Sequence, residues 1–271
     1  MMHVCFNGQM LPGNIPVLYA DNRGFKYGDG VFETIKVSNE KMPLIDFHYE
    51  RLATSLHILK ILPSYTKEQL VEWIMELCHL NHCQESARVR LAVYRNATGQ
   101  GDIIIEAQPI QQTAAQSQLQ SVSLTIYPYA RKSMDVFASL KTANFLPYVM
   151  AGLYAAGENF DDCLVLNSDN KICDSSKANI FIVRNNEIYT PALHQGCVNG
   201  VMRRYLIDAL KDMNYIVHQL EVVEEDLWSA DELFLSNSIQ GIMSVKTFKG
   251  KQYNNPVTSG IYERLVIPLF S

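Results

Sequence analysis

The sequence predicts an α/β (α+β mixed) fold in two domains, on three observations. Short runs such as "RVRLAVYR" and "SVSLTIYP" alternate apolar and polar residues, as half-buried strands do. Other runs, such as "TKEQLVEWIMELCHLN", repeat apolar residues at helical spacing. Between them "QPIQQTAAQSQLQ", from Gln108 to Gln120, is polar, uncharged and aperiodic, and reads as a linker. The division is a smaller domain at 1–110, a linker at 111–119 and a larger domain at 120–271.

The elements follow in order. Residues 2–10 and 31–45 read as short strands around the loop "YADNRGFKYGDG", whose "GDG" is a tight turn rather than a nucleotide loop. A helix starts near Phe47, with Leu52, Leu56 and Leu59 on one side. A second has Thr66 and Gln69 as a capping box and Leu70, Trp73, Ile74 and Leu77 as its apolar face. In the strand that follows, Val89, Leu91 and Val93 share one side. Past the linker, "YVMAGLYAAGENF" is a helix, and "CLVLNSDNKICDSSKANIFIVRNNEIYTP" gives strands joined by Asx-rich turns. "NGVMRRYLIDALKDMN" is a helix burying Tyr205, Leu206, Ala209, Leu210 and Met213, and "DELFLSNS" is a strand with a polar tip.

Composition bounds the function. Hydrophobic residues make up 48% of the 271, enough for a substantial core. A net charge of −5 without a basic run gives no footprint for nucleic acid or an anionic membrane. The six scattered cysteines read as free thiols in a reducing cytosol, and no apolar run approaches the roughly 20 residues of a membrane span. The expectation is a cytoplasmic protein. "CHLNHC" at 78–83 has no usual zinc spacing, so no metal is expected.

Candidate chemistry begins at Lys141, in "SLKTANFLP", which has no acidic neighbour. A poorly solvated lysine is a usable amine nucleophile, although a lysine snorkelling from a helix start explains the same residue. Asp174 could hold a protonated ring nitrogen, or cap the turn begun by Ser175–Ser176. Asn199 and Gly200 open a helix whose free amides and dipole favour phosphate, or form an ordinary Asn-Gly turn. "LSNSIQG" could add phosphate donors or be a plain loop. Arg51 could clasp a phosphate, or pair on the surface with Glu50 or Glu33.

In order, "YGDGVFETIKV", "HYERL", "SLKTANFLP", "ICDSSKANIF", "GCVNGVMRRYLI" and "DELFLSNSIQGIMSV" resemble the class IV aminotransferase family, the fold-type IV pyridoxal-phosphate enzymes. The resemblance covers nearly the whole chain. It implies the two-domain architecture of D-amino-acid and branched-chain aminotransferases, with the cofactor lysine in the larger domain. It also implies pyridoxal 5′-phosphate as cofactor, a small-molecule amino substrate and a homodimer. Lys141 matches the lysine that bonds the cofactor, and Arg51 the arginine on its phosphate. Asp174 falls where the family has glutamate against the pyridine nitrogen, one methylene shorter here. Val198 matches a branched residue packed on the ring. Gly200 opens the phosphate turn, and Val201 and Met202 match a pair whose backbone amides hold the phosphate. The family often has threonine at the second of these. Ser238 matches a hydroxyl on the phosphate, with Ile239 after it.

The family includes aminodeoxychorismate lyases, branched-chain aminotransferases and D-amino-acid aminotransferases. Thr34 matches a threonine near the substrate in lyase-like members, and "VNGVMRR" and "SNSIQGIMSV" also resemble lyase sequences. The reaction so implied converts aminodeoxychorismate to 4-aminobenzoate and pyruvate, in folate biosynthesis, with Lys141 and Thr34 as catalytic residues. The alternatives are a class IV aminotransferase of branched-chain or D-amino acids, and a degenerate cofactor-binding protein without activity, motivated by Asp174 and Met202.

Overall fold

A computed structural model describes residues 2–110 and 118–271. Contacts divide the chain into two units: Met1–Gln112 with Leu140–Asn144 and Phe270–Ser271, and Thr113–Ser139 with Phe145–Leu269. Of the expected linker at 111–119, residues 111–117 lie outside the described residues.

The first unit is an antiparallel sheet under two helices. Its strands are β1 (His3–Phe6), β2 (Gln9–Pro12), β3 (Gly30–Ser38), β4 (Ser86–Arg95) and β5 (Gly101–Pro109), in the order β2-β1-β5-β4-β3. Asn7 and Gly8 join β1 to β2 with φ of 49° and 86°, the left-handed pair a two-residue hairpin requires. After the one-and-a-half-turn helix α1 (Arg23–Tyr27), helices α2 (Ile45–Ile58) and α3 (Lys67–Leu80) cover one sheet face. The expected capping box is present at α3: Thr66 accepts from Gln69 N–H, and the Gln69 side chain accepts from Thr66 N–H. Leu70, Ile74 and Leu77 are buried against Val89, Leu91 and Val93 of β4.

Strand β3 is the edge of this sheet, and the Lys141 segment pairs with it. Phe32 N–H donates to the Lys141 carbonyl at 3.0 Å, and Ala143 N–H to the Gly30 carbonyl at 2.9 Å. Those bonds draw Leu140–Asn144 into the first unit, whereas the sequence suggested that the larger domain carries the lysine.

The second unit is a mixed sheet. Its strands are β6 (Gln120–Lys132), β7 (Asp162–Asn167), β8 (Ile172–Ser175), β9 (Asn179–Arg184), β10 (Glu187–Pro191), β11 (Val217–Leu220), β12 (Glu232–Asn237), β13 (Gly241–Phe248) and β14 (Lys251–Gln252). The order is β11-β10-β9-β12-β13-β6-β7-β8, with β14 on β13. The pairs β10/β11, β6/β13 and β6/β7 are parallel, and the rest antiparallel. The core gathers Leu124, Leu164, Ile172, Ile180, Leu235 and Val245. Helix α4 (Leu146–Gly157) packs Tyr148, Ala151 and Ala155 toward β6 and β7. Helix α5 (Val201–Asp212) buries Val201, Met202, Arg203, Leu206, Ile207 and Leu210. This face is rotated from the expected one, because the Arg203 guanidinium lies inside and donates to the Pro191 carbonyl at 2.9 Å and Gln219 Oε1 at 2.8 Å.

All six cysteines are free and buried. Burial pushes the Cys78 and Cys163 thiols up to about 12, so they stay protonated and inert.

Candidate active site

In the first unit, β3 carries two sets of groups on opposite faces, because side chains alternate along a strand. Phe32 and Thr34 share one parity. The Lys141 Nζ lies 4.5 Å from the centre of the Phe32 ring, and the Arg90 guanidinium of β4 lies 4.5 Å from the same ring. Thr34 pairs in register with Arg90. An amine, a guanidinium and a hydroxyl thus gather at one half-buried patch of the sheet edge. Arg90 alternates with Val89 and Leu91 along β4, and nothing else in the sequence marks it.

Glu33 has the other parity and points toward α2. It is 2% exposed and takes both neighbours from that helix. Arg51 Nε donates to Glu33 Oε1 at 2.8 Å, a terminal Arg51 nitrogen donates to Oε2, and His48 Nδ1 meets Oε2 at 2.6 Å. Burial alone would raise the Glu33 carboxyl, but the Arg51 charge and the His48 contact hold it at about 2. Burial also lowers His48, partly opposed by Glu33, so the imidazole favours its neutral form. Arg51 therefore does pair with Glu33, as one sequence alternative had it, but in the interior rather than on the surface.

In the second unit, Asp174 lies in β8 at 2% exposure. Three of its four partners come from far along the chain, and none is the backbone of a turn at Ser175–Ser176, so it is not the cap of that turn. Oδ2 accepts from Tyr148 OH at 2.6 Å, Val198 N–H at 3.0 Å and Lys132 Nζ at 3.5 Å. Oδ1 accepts from Asn179 Nδ2 at 2.9 Å. Val198 thus reaches Asp174 through its backbone, and its carbonyl accepts from Asn179 Nδ2 at 2.9 Å. Tyr148 and Lys132 carry no local signal in the sequence.

The Asn-Gly turn runs straight into α5. Gly200 is the N-cap, with φ −62° and ψ 136°, and has no side-chain capping bond. Val201 and Met202 follow as the first helical residues, so their amides have no intrahelical acceptor. A Cβ on Gly200 would stand 1.9 Å from Asn179 Oδ1, so only glycine lets the chain pass so close. Ser238 is half-buried in the turn after β12. Ile239 N–H donates to Asn237 Oδ1 at 3.0 Å, which closes that turn. Two residues before Ser238, the Ser236 Oγ is buried with no hydrogen-bond partner.

In the second unit an uncapped helix N-terminus, an orphaned buried hydroxyl and a buried carboxylate suit a phosphorylated pyridine; in the first, by itself, Lys141 is an amine suited to an aldehyde. Among the described residues, no group of three or more His, Cys, Asp or Glu side chains is placed to hold a metal. No helix there is long and apolar enough to cross a membrane.

Residues 30–248 match the family described as amino-transferase class IV. The chain belongs to the class IV aminotransferase family. It is thus a pyridoxal-phosphate-dependent enzyme. It is 28% identical over 235 residues to an aminodeoxychorismate lyase of Vibrio harveyi, covering 83% of this chain and 84% of that one. It is 24% identical over 281 residues to a branched-chain-amino-acid aminotransferase of Salmonella typhimurium, covering 96% and 91%. The fold is that of fold-type IV. The branched-chain aminotransferase of Thermoproteus uzoniensis, solved with norvaline, superposes with a TM-score of 0.89 at 24% identity, covering 99% of this chain and 95% of that one. Within the class IV family, the relatives' names divide between lyase and aminotransferase.

Proposed function

We propose that this class IV enzyme is an aminodeoxychorismate lyase, releasing pyruvate and leaving 4-aminobenzoate. The observation that carries the reading is the Lys141 Nζ over Phe32, on the strand whose next residue of that parity is Thr34. A base and a hydroxyl on one face of the same strand suit a reaction that removes one proton and delivers another. Lys141 would hold the cofactor. Arg51, the amides of Val201 and Met202 and the Ser238 hydroxyl would each take its phosphate, with Ile239 following Ser238. Val198 would lie against its ring, and Asp174 would hold the ring-nitrogen proton. Bound there, pyridoxal phosphate supplies the electron sink for charge developing at Cα. Lys141 would take the Cα proton as a general base. Thr34 or Lys141 delivers a proton as the pyruvate unit leaves, and aromatisation of the ring drives the reaction. Arg90 beside Thr34 suits one carboxylate of this diacid substrate.

The enzyme acts in the cytoplasm, in folate biosynthesis, as a homodimer. Support for the dimer is the run Leu146, Val149, Met150 and Leu153, exposed along one side of α4. A monomer by sedimentation overturns that part.

The test is direct. Purified, cofactor-loaded protein should yield 4-aminobenzoate and pyruvate from aminodeoxychorismate, and Lys141→Ala should lose the visible cofactor band. Protein that holds cofactor, yields no 4-aminobenzoate and instead converts a 2-oxo acid with glutamate refutes the lyase reading.

A further inference from the structure

The Asp174 carboxylate is unevenly occupied. Oδ2 takes three donors: Tyr148 OH at 2.6 Å, Val198 N–H at 3.0 Å and Lys132 Nζ at 3.5 Å. Oδ1 takes one, from Asn179 at 2.9 Å. Each carboxylate oxygen offers about two lone-pair sites, so Oδ2 is saturated and Oδ1 keeps room for one more donor. We propose that Tyr148, seconded by Lys132, is a positioning residue that locks Oδ2 and leaves Oδ1 to receive the cofactor's ring-nitrogen proton. The proposal rests on the cofactor roles proposed above.

Several features fix the phenol in this role. Tyr148 is 7% exposed and stacks on Phe145 with ring centres 4.4 Å apart. Lys132 Nζ sits 5.1 Å from the Tyr148 ring centre, so the cation touches both the carboxylate and its phenolic donor. Burial, and then the charge of Asp174, push the Tyr148 hydroxyl well above its ordinary value, so it remains a donor across the working pH range. The other ionisable groups facing Asp174 are Cys173, Cys197 and Arg203. Burial keeps both thiols neutral, with Cys197 pushed up to about 12. Charge at this carboxylate is therefore balanced by Lys132 nearby and Arg203 further off.

Anchoring matters more for an aspartate than for a longer acid. Its reach is set by two torsions, and fixing one oxygen fixes the other.

The experiment is a double-mutant cycle on cofactor binding. Wild type, Tyr148→Phe, Asp174→Asn and the double variant are titrated with pyridoxal phosphate. Affinity is read from the visible band, together with the pH midpoint of that band. Tyr148→Phe should weaken binding roughly tenfold, as expected for loss of one charge-assisted hydrogen bond, and shift the midpoint. Added to Asp174→Asn, it should cost less than about twofold, because the two changes remove one interaction. Lys132→Met should act in the same direction with a smaller factor, and its own cycle with Asp174→Asn serves if Tyr148→Phe does not fold. Equal effects in both backgrounds, or an unshifted midpoint, overturn the positioning role while leaving the functional reading intact. A wild type that takes up no pyridoxal phosphate overturns both.

Discussion

Glu33→Gln tests the buried network that sets Arg51. The substitution keeps the shape of the side chain and removes its charge, leaving Arg51 and His48 facing a neutral amide at a site only 2% exposed. The folded Glu33 carboxyl is held at about 2 against an ordinary 4.5, a gap of about 2.5 units. At roughly 1.4 kcal/mol per pH unit this amounts to about 3–4 kcal/mol. Breaking one partner of a buried pair costs about 3–5 kcal/mol, so both routes agree. A depressed carboxyl stabilises fully above its unfolded value and loses that contribution as pH falls from about 4.5 toward 2. His48, lowered from 6.5, adds a loss that begins earlier, because the unfolded chain takes up its proton first. Wild-type stability should thus slope downward below pH 6.5 and more steeply below 4.5, and Glu33→Gln should lack the steeper part. Trp73 lies in the first unit and Trp228 in the second, so urea unfolding of the first unit can be followed by Trp73 fluorescence in a Trp228→Phe background. A Glu33→Gln variant within about 1 kcal/mol of wild type at pH 7, or with an unchanged acid slope, would refute the reasoning.

Three further outcomes are expected. Gly200→Ala drives a methyl to 1.9 Å from Asn179 Oδ1, so Asn179 must release Asp174 or Val198. Stability should fall by about 1–3 kcal/mol with a parallel loss of cofactor affinity, measured by urea unfolding and by titration of the visible band. Thr34→Val keeps the shape and removes the hydroxyl; 4-aminobenzoate formation should drop at least about tenfold with the cofactor band retained, and an unchanged rate removes Thr34 from the proton relay. Thr66→Ala deletes the side-chain half of the α3 capping box and should cost about 1 kcal/mol in urea unfolding, without touching cofactor binding.

Local pattern was enough wherever one element decides its own form. The α3 cap, the alternation of β4 and the Asn-Gly entry to α5 needed no knowledge of distant residues. What stayed hidden are pairings across long stretches of chain. Tyr148 sits 26 residues before Asp174, in a helix that reads as apolar, and nothing local marks its hydroxyl as a carboxylate partner. The Lys141 segment was legible as a motif, but its pairing with the β3 edge depends on tertiary docking.

Glu33 lies between these cases. Val31, Ile35 and Val37 of β3 are buried, and Glu33 has the same parity, so alternation alone puts a carboxylate into the core. Such a charge must find a partner, and the four-residue turn of α2 supplies two, at His48 and Arg51, three apart on one side of the helix. An acid on the apolar parity of a strand, followed by His-x-x-Arg in the next helix, can therefore be read from sequence as one buried unit. The functional meaning follows from the same geometry. An arginine gripped by Nε and one terminal nitrogen has its plane and position fixed, so any anion it meets is bound without first ordering a long side chain. Each unit thus holds one charged side chain set beforehand by a buried partner, Arg51 by Glu33 in the first and Asp174 by Tyr148 in the second.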